Sequence, residues 1–161
     1  MTSFGLIQTF LADEAATVDV GGKIGAALIS GNVVFLEGEL GAGKTTFTRG
    51  VLRARGHTGA VKSPTYTLYE PYELDDTHLV CHIDLYRLSD PEELEFLGFR
   101  DYLASGAIVL IEWPSRGEGW LPNPDLKIEL SERGSGRALR VLALTTHGSQ
   151  VLERCGVDHV E

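Results

Sequence analysis

Three features of the sequence together predict an α/β fold of three layers, whose mixed sheet has a parallel core and antiparallel hairpins. The first is a short apolar segment, Val33 to Leu36, that leads through a glycine-rich turn into a helical pattern. The second is the fully apolar run Ala107 to Ile111, which is typical of a central parallel strand. The third is a pair of alternating segments, Leu126 to Leu130 and Ala138 to Leu144, which predict a hairpin.

Local signals along the rest of the chain complete one predicted domain over residues 1–161. Aspartates that precede striped or acidic segments predict helix starts, and β-branched or aromatic runs predict strands. Glycines inside the first helical pattern lower its helix propensity. The further predicted elements are a strand at 4–10, helices at 13–30, 45–55, 90–98, 99–104 and 148–155, and an antiparallel pair at 66–70 and 79–86 around a turn at Asp75-Asp76.

The composition favours a cytoplasmic protein that does not hold nucleic acid by itself. With 161 residues, 43% of them hydrophobic, the chain can bury a sizeable core without disulfides. Its formal net charge of −9 argues against a broad basic surface. Cys81 and Cys155 form no disulfide framework, which suits a reducing cytosol. The N-terminus lacks the basic region of a signal peptide, and no apolar run is long enough for a membrane helix, so no membrane contact is expected.

The glycine-rich turn, Gly38 to Thr45, fits the pattern G-x-x-x-x-G-K-[ST] of phosphate-binding loops. Its glycines allow positive φ angles, so successive backbone N–H groups can surround a phosphate. Lys44 supplies a compact positive charge for the β- and γ-phosphates, and the Thr45 hydroxyl is a suitable ligand for Mg²⁺. A strand before the loop and a helix after it would place the phosphates at a helix N-terminus. The alternative is an ordinary β-to-α turn that carries a lysine by chance.

Two carboxylates follow apolar segments, as the metal and catalytic groups of such a fold require. Glu112 ends the central apolar run, where it would complete the Mg²⁺ shell together with Thr45. Asp84 ends the apolar segment that begins at Leu79, where it could orient or deprotonate the attacking water, or reach Mg²⁺ through a second water. The alternatives are an ordinary acidic residue at a strand end for Glu112 and a capping aspartate for Asp84.

Three further features leave both a structural and a functional interpretation open. His82 is either a histidine whose bonds are satisfied within the sheet, which is the favoured interpretation, or a catalyst. It lies four residues from His78, too far along a strand for a shared metal. Trp113 either stacks near the nucleotide or packs in the core. The segment Ser63 to Thr65 forms either a switch loop that follows the γ-phosphate or an ordinary proline turn.

The sequence motifs bear on two questions, which nucleotide is bound and which reaction it undergoes. No Asn/Thr-Lys-x-Asp string for reading guanine occurs, which favours ATP over GTP. A small-molecule kinase would usually carry an arginine-rich lid, whereas Arg133, Arg137 and Arg140 lie on the predicted hairpin. A third class, a module that uses the nucleotide only as a conformational switch, also remains open.

Longer strings are more specific than the phosphate-binding loop alone. They are GAGKTTFTRG, KSPTYTLYEPY, HIDLYRLSDPEELEFLGFRDYL and IEWP. Together they resemble the bacterial TsaE (YjeE) family, the ATPase component of tRNA threonylcarbamoyladenosine biosynthesis. The similarity extends from about Leu11 to Leu144 and is strongest from Gly38 to Pro114.

The resemblance implies a P-loop NTPase-like fold, weak ATP hydrolysis by the isolated chain, and partnership with the TsaB–TsaD heterodimer, through which tRNA would be reached indirectly. By motif, it implies that the segment Gly41 to Thr46 binds the phosphates, that Thr45 and Glu112 hold Mg²⁺, and that Asp84 is essential for hydrolysis. Adenine contacts are placed only loosely, near residues 11–17 or at Arg137. The expected site residues are Lys44, Asp84 and Glu112 for catalysis, Gly41, Ala42, Gly43, Lys44, Thr45, Thr46, Trp113 and Arg137 for ATP, and Thr45 and Glu112 for Mg²⁺.

Overall fold

A seven-stranded mixed sheet organises the described residues of the computed structural model, which are 5–61, 69–74, 79–96 and 98–157. In space the strands follow the order β1-β7-β6-β2-β5-β4-β3. The inner strands β6, β2, β5 and β4 are parallel, while β7 and β1 at one edge and β3 at the other are antiparallel. The strands are β1 Gly5–Leu11, β2 Val33–Glu37, β3 Tyr69–Glu73, β4 Leu79–Asp84, β5 Ile108–Glu112, β6 Leu126–Arg133 and β7 Gly136–Ala143.

Helices cover both faces of this sheet. The helices are α1 Glu14–Ala27, α2 Lys44–Ala54, α3 Glu93–Phe96, α4 Phe99–Ala104 and α5 Thr146–Arg154, with a 3₁₀ turn at Pro114–Gly117. Successive residues of a strand point to opposite faces, so Leu110 joins the core beneath α1 and α2 while Val109 and Ile111 join a second core with Leu94. These two cores, one on each side of the sheet, confirm the predicted three-layer α/β fold.

Several boundaries differ from the sequence-based expectations. The first helix ends at Ala27, not at residue 30, because the Asn32 side chain accepts a hydrogen bond from the Ile29 N–H at 2.7 Å and turns the chain. The strand β3 continues through Pro71 to Glu73, which an edge strand permits. The predicted loop after β5 begins with the 3₁₀ turn. The possible switch segment Ser63 to Thr65, residues 66–68, the Asp75-Asp76 turn and His78 lie outside the described residues.

The glycines of α1 explain a conflict between its sequence and its helical structure. They allow α1 to pack closely against α2. A Cβ atom added at Gly25 of α1 would lie 2.6 Å from the Val51 Cα. A Cβ atom added at Gly50, on the facing side of α2, would lie 2.3 Å from the Val18 carbonyl oxygen. The resulting helix pair supports the N-terminal turn of α2, to which the phosphate-binding pattern belongs. The weak intrinsic helix propensity of α1 is therefore offset by its tertiary packing against α2.

Replacing Gly25 by Ala is expected to destabilise the protein by about 1–3 kcal/mol, because the new methyl group would overpack the backbone of α2. The control is Gly22→Ala on the same helix, where an added Cβ would make ordinary contacts at 3.5 and 3.7 Å. That change is expected to be neutral or to stabilise by up to about 1 kcal/mol, through helix propensity. Urea unfolding of both variants measures the difference. Equal stability of the two would contradict close packing at Gly25.

Candidate functional site

The candidate site lies where the carboxyl ends of three neighbouring parallel strands meet. Strand β2 leads into the glycine-rich loop, β5 ends at Glu112 and β4 ends at Asp84. The register pairs Leu36 with Glu112 and Glu112 with Asp84 across the two ladders. Open α/β sheets bind ligands at this edge. The sheet therefore brings both predicted carboxylates next to the loop, although they are far apart in the sequence.

The glycine-rich loop adopts the backbone that its glycines permit. Gly41 and Gly43 have φ angles of 80° and 107°, in the region that side-chain-bearing residues rarely adopt. Gly43 precedes α2, and its carbonyl oxygen accepts the hydrogen bond from the Phe47 N–H at 2.8 Å. Thr45 and Thr46, in the first turn of α2, have N–H groups that the helix itself cannot bond. An α-helix that starts in this way offers donors and a positive dipole end to an anion.

Lys44 is buried within the loop that presents it. Its Nζ donates to the Gly38 carbonyl oxygen at 2.6 Å and lies 3.8 Å from a carboxylate oxygen of Glu112. Burial lowers the pKa of Lys44 below its ordinary value of 10.5, while the negative charges of Glu112, Asp84 and Glu39 act in the opposite direction. The lysine is thus held in place before any ligand arrives.

The loop, both carboxylates and Trp113 line one cavity of about 290 Å³. Asp84 is 2% exposed, and its Oδ1 accepts a hydrogen bond from the Tyr86 N–H at 2.9 Å. It therefore caps the strand end and also lines the cavity, while its role in hydrolysis stays a prediction. The residues of the cavity wall are Leu40, Gly41, Gly43, Lys44, Thr45, Thr46, Asp84, Glu112 and Trp113.

Sequence reasoning underestimated His82. Its Nε2 lies 2.5 Å from Oε2 of Glu112, so its partner is a predicted metal ligand rather than a group of the sheet backbone. The other ring nitrogen, Nδ1, is buried and has no hydrogen-bond partner among the described residues. The interpretation as a fully satisfied histidine is therefore wrong. The available signal was its position two residues before Asp84, which places both side chains on one face of the strand.

Trp113 interacts with Lys44 of the glycine-rich loop. Its ring centroid lies 4.0 Å from the Lys44 Nζ, within the range of a cation–π interaction, and 5.0 Å from the Tyr86 ring. Its backbone has a φ of 55°, a left-handed conformation that is costly for a bulky residue. The Trp113 ring packs on the second core and also covers the lysine, while its stacking near a nucleotide stays a prediction.

A second cavity, of about 170 Å³, adjoins the loop on the side of α1. It shares Gly41, Gly43 and Thr46 with the first cavity. The loosely predicted base-binding residues meet there, but Arg137 also contacts the loop itself. Its Nε donates to the Ala42 carbonyl oxygen at 3.0 Å and its guanidinium donates to the Gly41 carbonyl oxygen at 3.1 Å. The wall of this cavity comprises Leu11, Asp13, Glu14, Thr17, Gly41, Gly43, Thr46, Ser135, Gly136 and Arg137.

The donors around the first cavity fit a hard cation such as Mg²⁺. Hydroxyl and carboxylate oxygens come from Thr45 and Glu112, with Asp84 on the same wall. Within the part of the chain that the structure describes, no group of three histidine, cysteine or acidic side chains could hold a metal alone. Mg²⁺ usually binds one or two protein oxygens together with water and ligand phosphates. The residues present therefore suit a cation that arrives with a phosphate ligand.

A glycine-rich loop at a helix N-terminus, a lysine held within it and carboxylates on the neighbouring strand ends define a P-loop protein. Residues 11–139 match the family model described as "Threonylcarbamoyl adenosine biosynthesis protein TsaE". The chain belongs to this TsaE family, whose proteins take part in tRNA threonylcarbamoyladenosine biosynthesis. The predicted resemblance is thereby confirmed, over nearly the same span.

Individual relatives agree with this assignment. The chain is 43% identical to the tRNA threonylcarbamoyladenosine biosynthesis protein TsaE of Haemophilus influenzae, an alignment that covers 91% of this chain and 95% of that protein. It is 38% identical to the Bacillus subtilis protein of the same name, over 78% of this chain and 76% of the relative. The crystal structure of "Bacillus subtilus YdiB" superposes with a TM-score of 0.80 at 28% identity and covers 94% of both chains.

Among the described helices, none has the length and apolarity that spanning a lipid bilayer requires.

Proposed function

We propose that the protein is an ATPase that binds and hydrolyses Mg-ATP, in support of the threonylcarbamoyl modification of an adenosine next to the tRNA anticodon. One observation carries the proposal: Lys44, Asp84 and Glu112 meet in the cavity at the N-terminus of α2. A lysine and free helix N–H groups suit phosphates, and carboxylates beside them suit a metal and a water.

The position of each residue in the cavity suggests its role. The Lys44 ammonium would interact with the β- and γ-phosphates, and the first-turn N–H groups of α2 would surround them. Thr45 and Glu112 would hold Mg²⁺, which, when bound, neutralises phosphate charge. Asp84, fixed by the Tyr86 N–H, would orient the attacking water or accept its proton.

The second cavity is the best place for the nucleoside part of ATP. It shares Gly41 and Gly43 with the first cavity, and residues of α1 together with Arg137 form part of its wall. Arg137 contributes to this site in two ways, as part of the wall and as a donor to the loop carbonyl oxygens. By holding those carbonyls, it keeps the loop in the conformation that its glycines permit.

The proposed partners are the TsaB and TsaD proteins, with tRNA reached through their complex in the cytoplasm. The formal net charge of −9 supports this arrangement, because an acidic chain is poorly suited to binding the phosphate backbone of tRNA directly. Membership of the TsaE family supports a shared pathway with other proteins of that biosynthesis.

Two alternative functions remain for comparison, a small-molecule kinase and a switch that binds the nucleotide without hydrolysing it. The hairpin arginines argue for the ATPase over the kinase. Arg140 pairs with Glu129 at 2.9 Å, and Arg137 donates to backbone carbonyl oxygens. Neither side chain is arranged as a lid over a transferred phosphate. Only a measurement of ATP turnover distinguishes a nucleotide-dependent switch from an ATPase.

We expect the chain, assayed with TsaB and TsaD, to hydrolyse ATP in preference to GTP, because no guanine-reading motif occurs in the sequence. Phosphate release under matched nucleotide and Mg²⁺ concentrations measures this preference, and the isolated chain serves as the low-activity control. Equal turnover of ATP and GTP would contradict the nucleotide assignment. Binding without cleavage under every assembly condition would favour the switch, and phosphate transfer to a small acceptor would favour the kinase.

A further inference from the structure

His82 contacts the carboxylate to which the metal role is assigned. It lies on β4 with no exposed surface, and its Nε2 is 2.5 Å from Oε2 of Glu112 on the neighbouring strand β5. In the tautomer that carries its proton on Nε2, His82 donates this hydrogen bond and the Glu112 carboxylate accepts it. The bond joins two parallel strands at the edge where the cavity opens.

This hydrogen bond restrains the Glu112 side chain. The Lys44 ammonium lies 3.8 Å from Oε1 of the same carboxylate, beyond normal hydrogen-bond distance. His82 therefore fixes Oε2 and leaves Oε1 on the side of Lys44. Metal-binding carboxylates are commonly held by such an outer partner, which orients them before the metal binds.

Stability alone does not account for a histidine at this position. Its Nδ1 is buried and has no hydrogen-bond partner in the described part of the chain. A buried nitrogen without a partner is unfavourable. The neighbouring buried residues of the strand, Cys81 and Ile83, point to the opposite face and pack in the second core. The imidazole thus combines an unsatisfied atom with one specific bond to Glu112.

We propose that His82 is a positioning residue, which holds the Glu112 carboxylate in the orientation in which it would bind the Mg²⁺ that accompanies the nucleotide. This inference rests on the proposed function. It assigns His82 no contact with ATP and no part in proton transfer. Its effect is on the concentration of Mg²⁺ at which the nucleotide binds.

The test uses the full chain and binding of ADP and of a non-hydrolysable ATP analogue, so the readout does not depend on turnover. The variants are His82→Gln, whose amide can donate from nearly the position of Nε2, and His82→Asn, whose shorter side chain cannot reach Glu112. Cys81→Ala is the matched control, since Cys81 is buried on the same strand and faces away from the cavity. Each variant is titrated with Mg²⁺, and its affinity in EDTA and its urea midpoint are measured.

We expect His82→Asn to raise the half-saturating Mg²⁺ concentration by about 10–100-fold, the usual effect of removing an outer partner of a metal ligand. Affinity in EDTA should stay at the wild-type value, and His82→Gln should recover most of the Mg²⁺ dependence. Unchanged Mg²⁺ dependence in a folded His82→Asn chain, or equal losses for Asn and Gln, would overturn the positioning role while leaving the ATPase proposal intact. If His82→Asn does not fold, wild-type behaviour of His82→Gln supports the role, and a large loss in that variant overturns it. Failure of the wild-type chain to bind nucleotide with Mg²⁺ would overturn both proposals.

Discussion

Replacement of Asp84 by Asn is expected to slow ATP cleavage by about 10²–10⁴-fold, the range typical for loss of one positioned acid–base group. The change removes charge and basicity but keeps size and shape. The amide oxygen of Asn can still accept the hydrogen bond from the Tyr86 N–H, which is 2.9 Å long in the wild-type chain. Folding and nucleotide binding should therefore persist. Single-turnover cleavage, measured with TsaB and TsaD present, reports the rate.

The control for this prediction is Asp19→Asn, which removes a carboxylate from the exposed face of α1. Asp19 pairs with Lys23, one turn away, and its side chain is 68% exposed. That variant should cleave ATP at the wild-type rate. Wild-type cleavage by Asp84→Asn in the assembled complex would show instead that Asp84 is only a cap at the end of β4.

The Lys44→Ala variant is expected to lose most of its affinity for Mg-ATP. Lys44 is 6% exposed and would face the phosphates from a fixed position within the loop. Truncating one member of a buried, hydrogen-bonded charge pair typically costs about 2–5 kcal/mol or more, which corresponds to a loss of affinity of roughly 30- to 5,000-fold. Titration calorimetry with Mg-ATP measures the change, and circular dichroism checks that the fold survives.

Lys23→Ala is the matched control for the Lys44 variant. Lys23 carries the same charge, but its side chain is 47% exposed and its partner Asp19 lies one turn away on α1. Its removal changes the net charge by the same amount and should leave affinity unchanged. If Lys44→Ala kept its Mg-ATP affinity while Lys23→Ala lost affinity, nucleotide binding would depend on overall charge and not on this loop.

The proximity of Asp84 and Glu112 depends on more than their local sequences. Each follows an apolar run, so a strand end was predictable at both positions. That the two strands are neighbours, and that the register pairs Asp84 with Glu112, follows from the sheet order. Strand order results from long-range pairing, to which a local pattern is insensitive. The metal role of Glu112 was thus inferred from its motif, whereas its bond to His82 became visible only in three dimensions.

The helix pair α1 and α2 gives a second example of the same limit. Local propensity counts Gly21, Gly22 and Gly25 against a helix at this position. The observed α1 nevertheless extends from Glu14 to Ala27, because Gly21 and Gly25 permit the close approach of α2. A local signal of helix weakness was therefore a requirement of tertiary packing.

The sequence by itself determined the glycine-rich loop, its flanking strand and helix, the central apolar strand and the family, because each depends on neighbouring residues in a specific local pattern. The Asp13 cap of α1 was readable for the same reason. Only the tertiary structure decided that His82 holds Glu112, that Arg137 holds the loop carbonyls and that Trp113 covers Lys44. The two hydrogen bonds join residues that are 30 and 95 positions apart in the sequence. They exist because sheet register and helix packing bring distant side chains together, and no local pattern records that geometry.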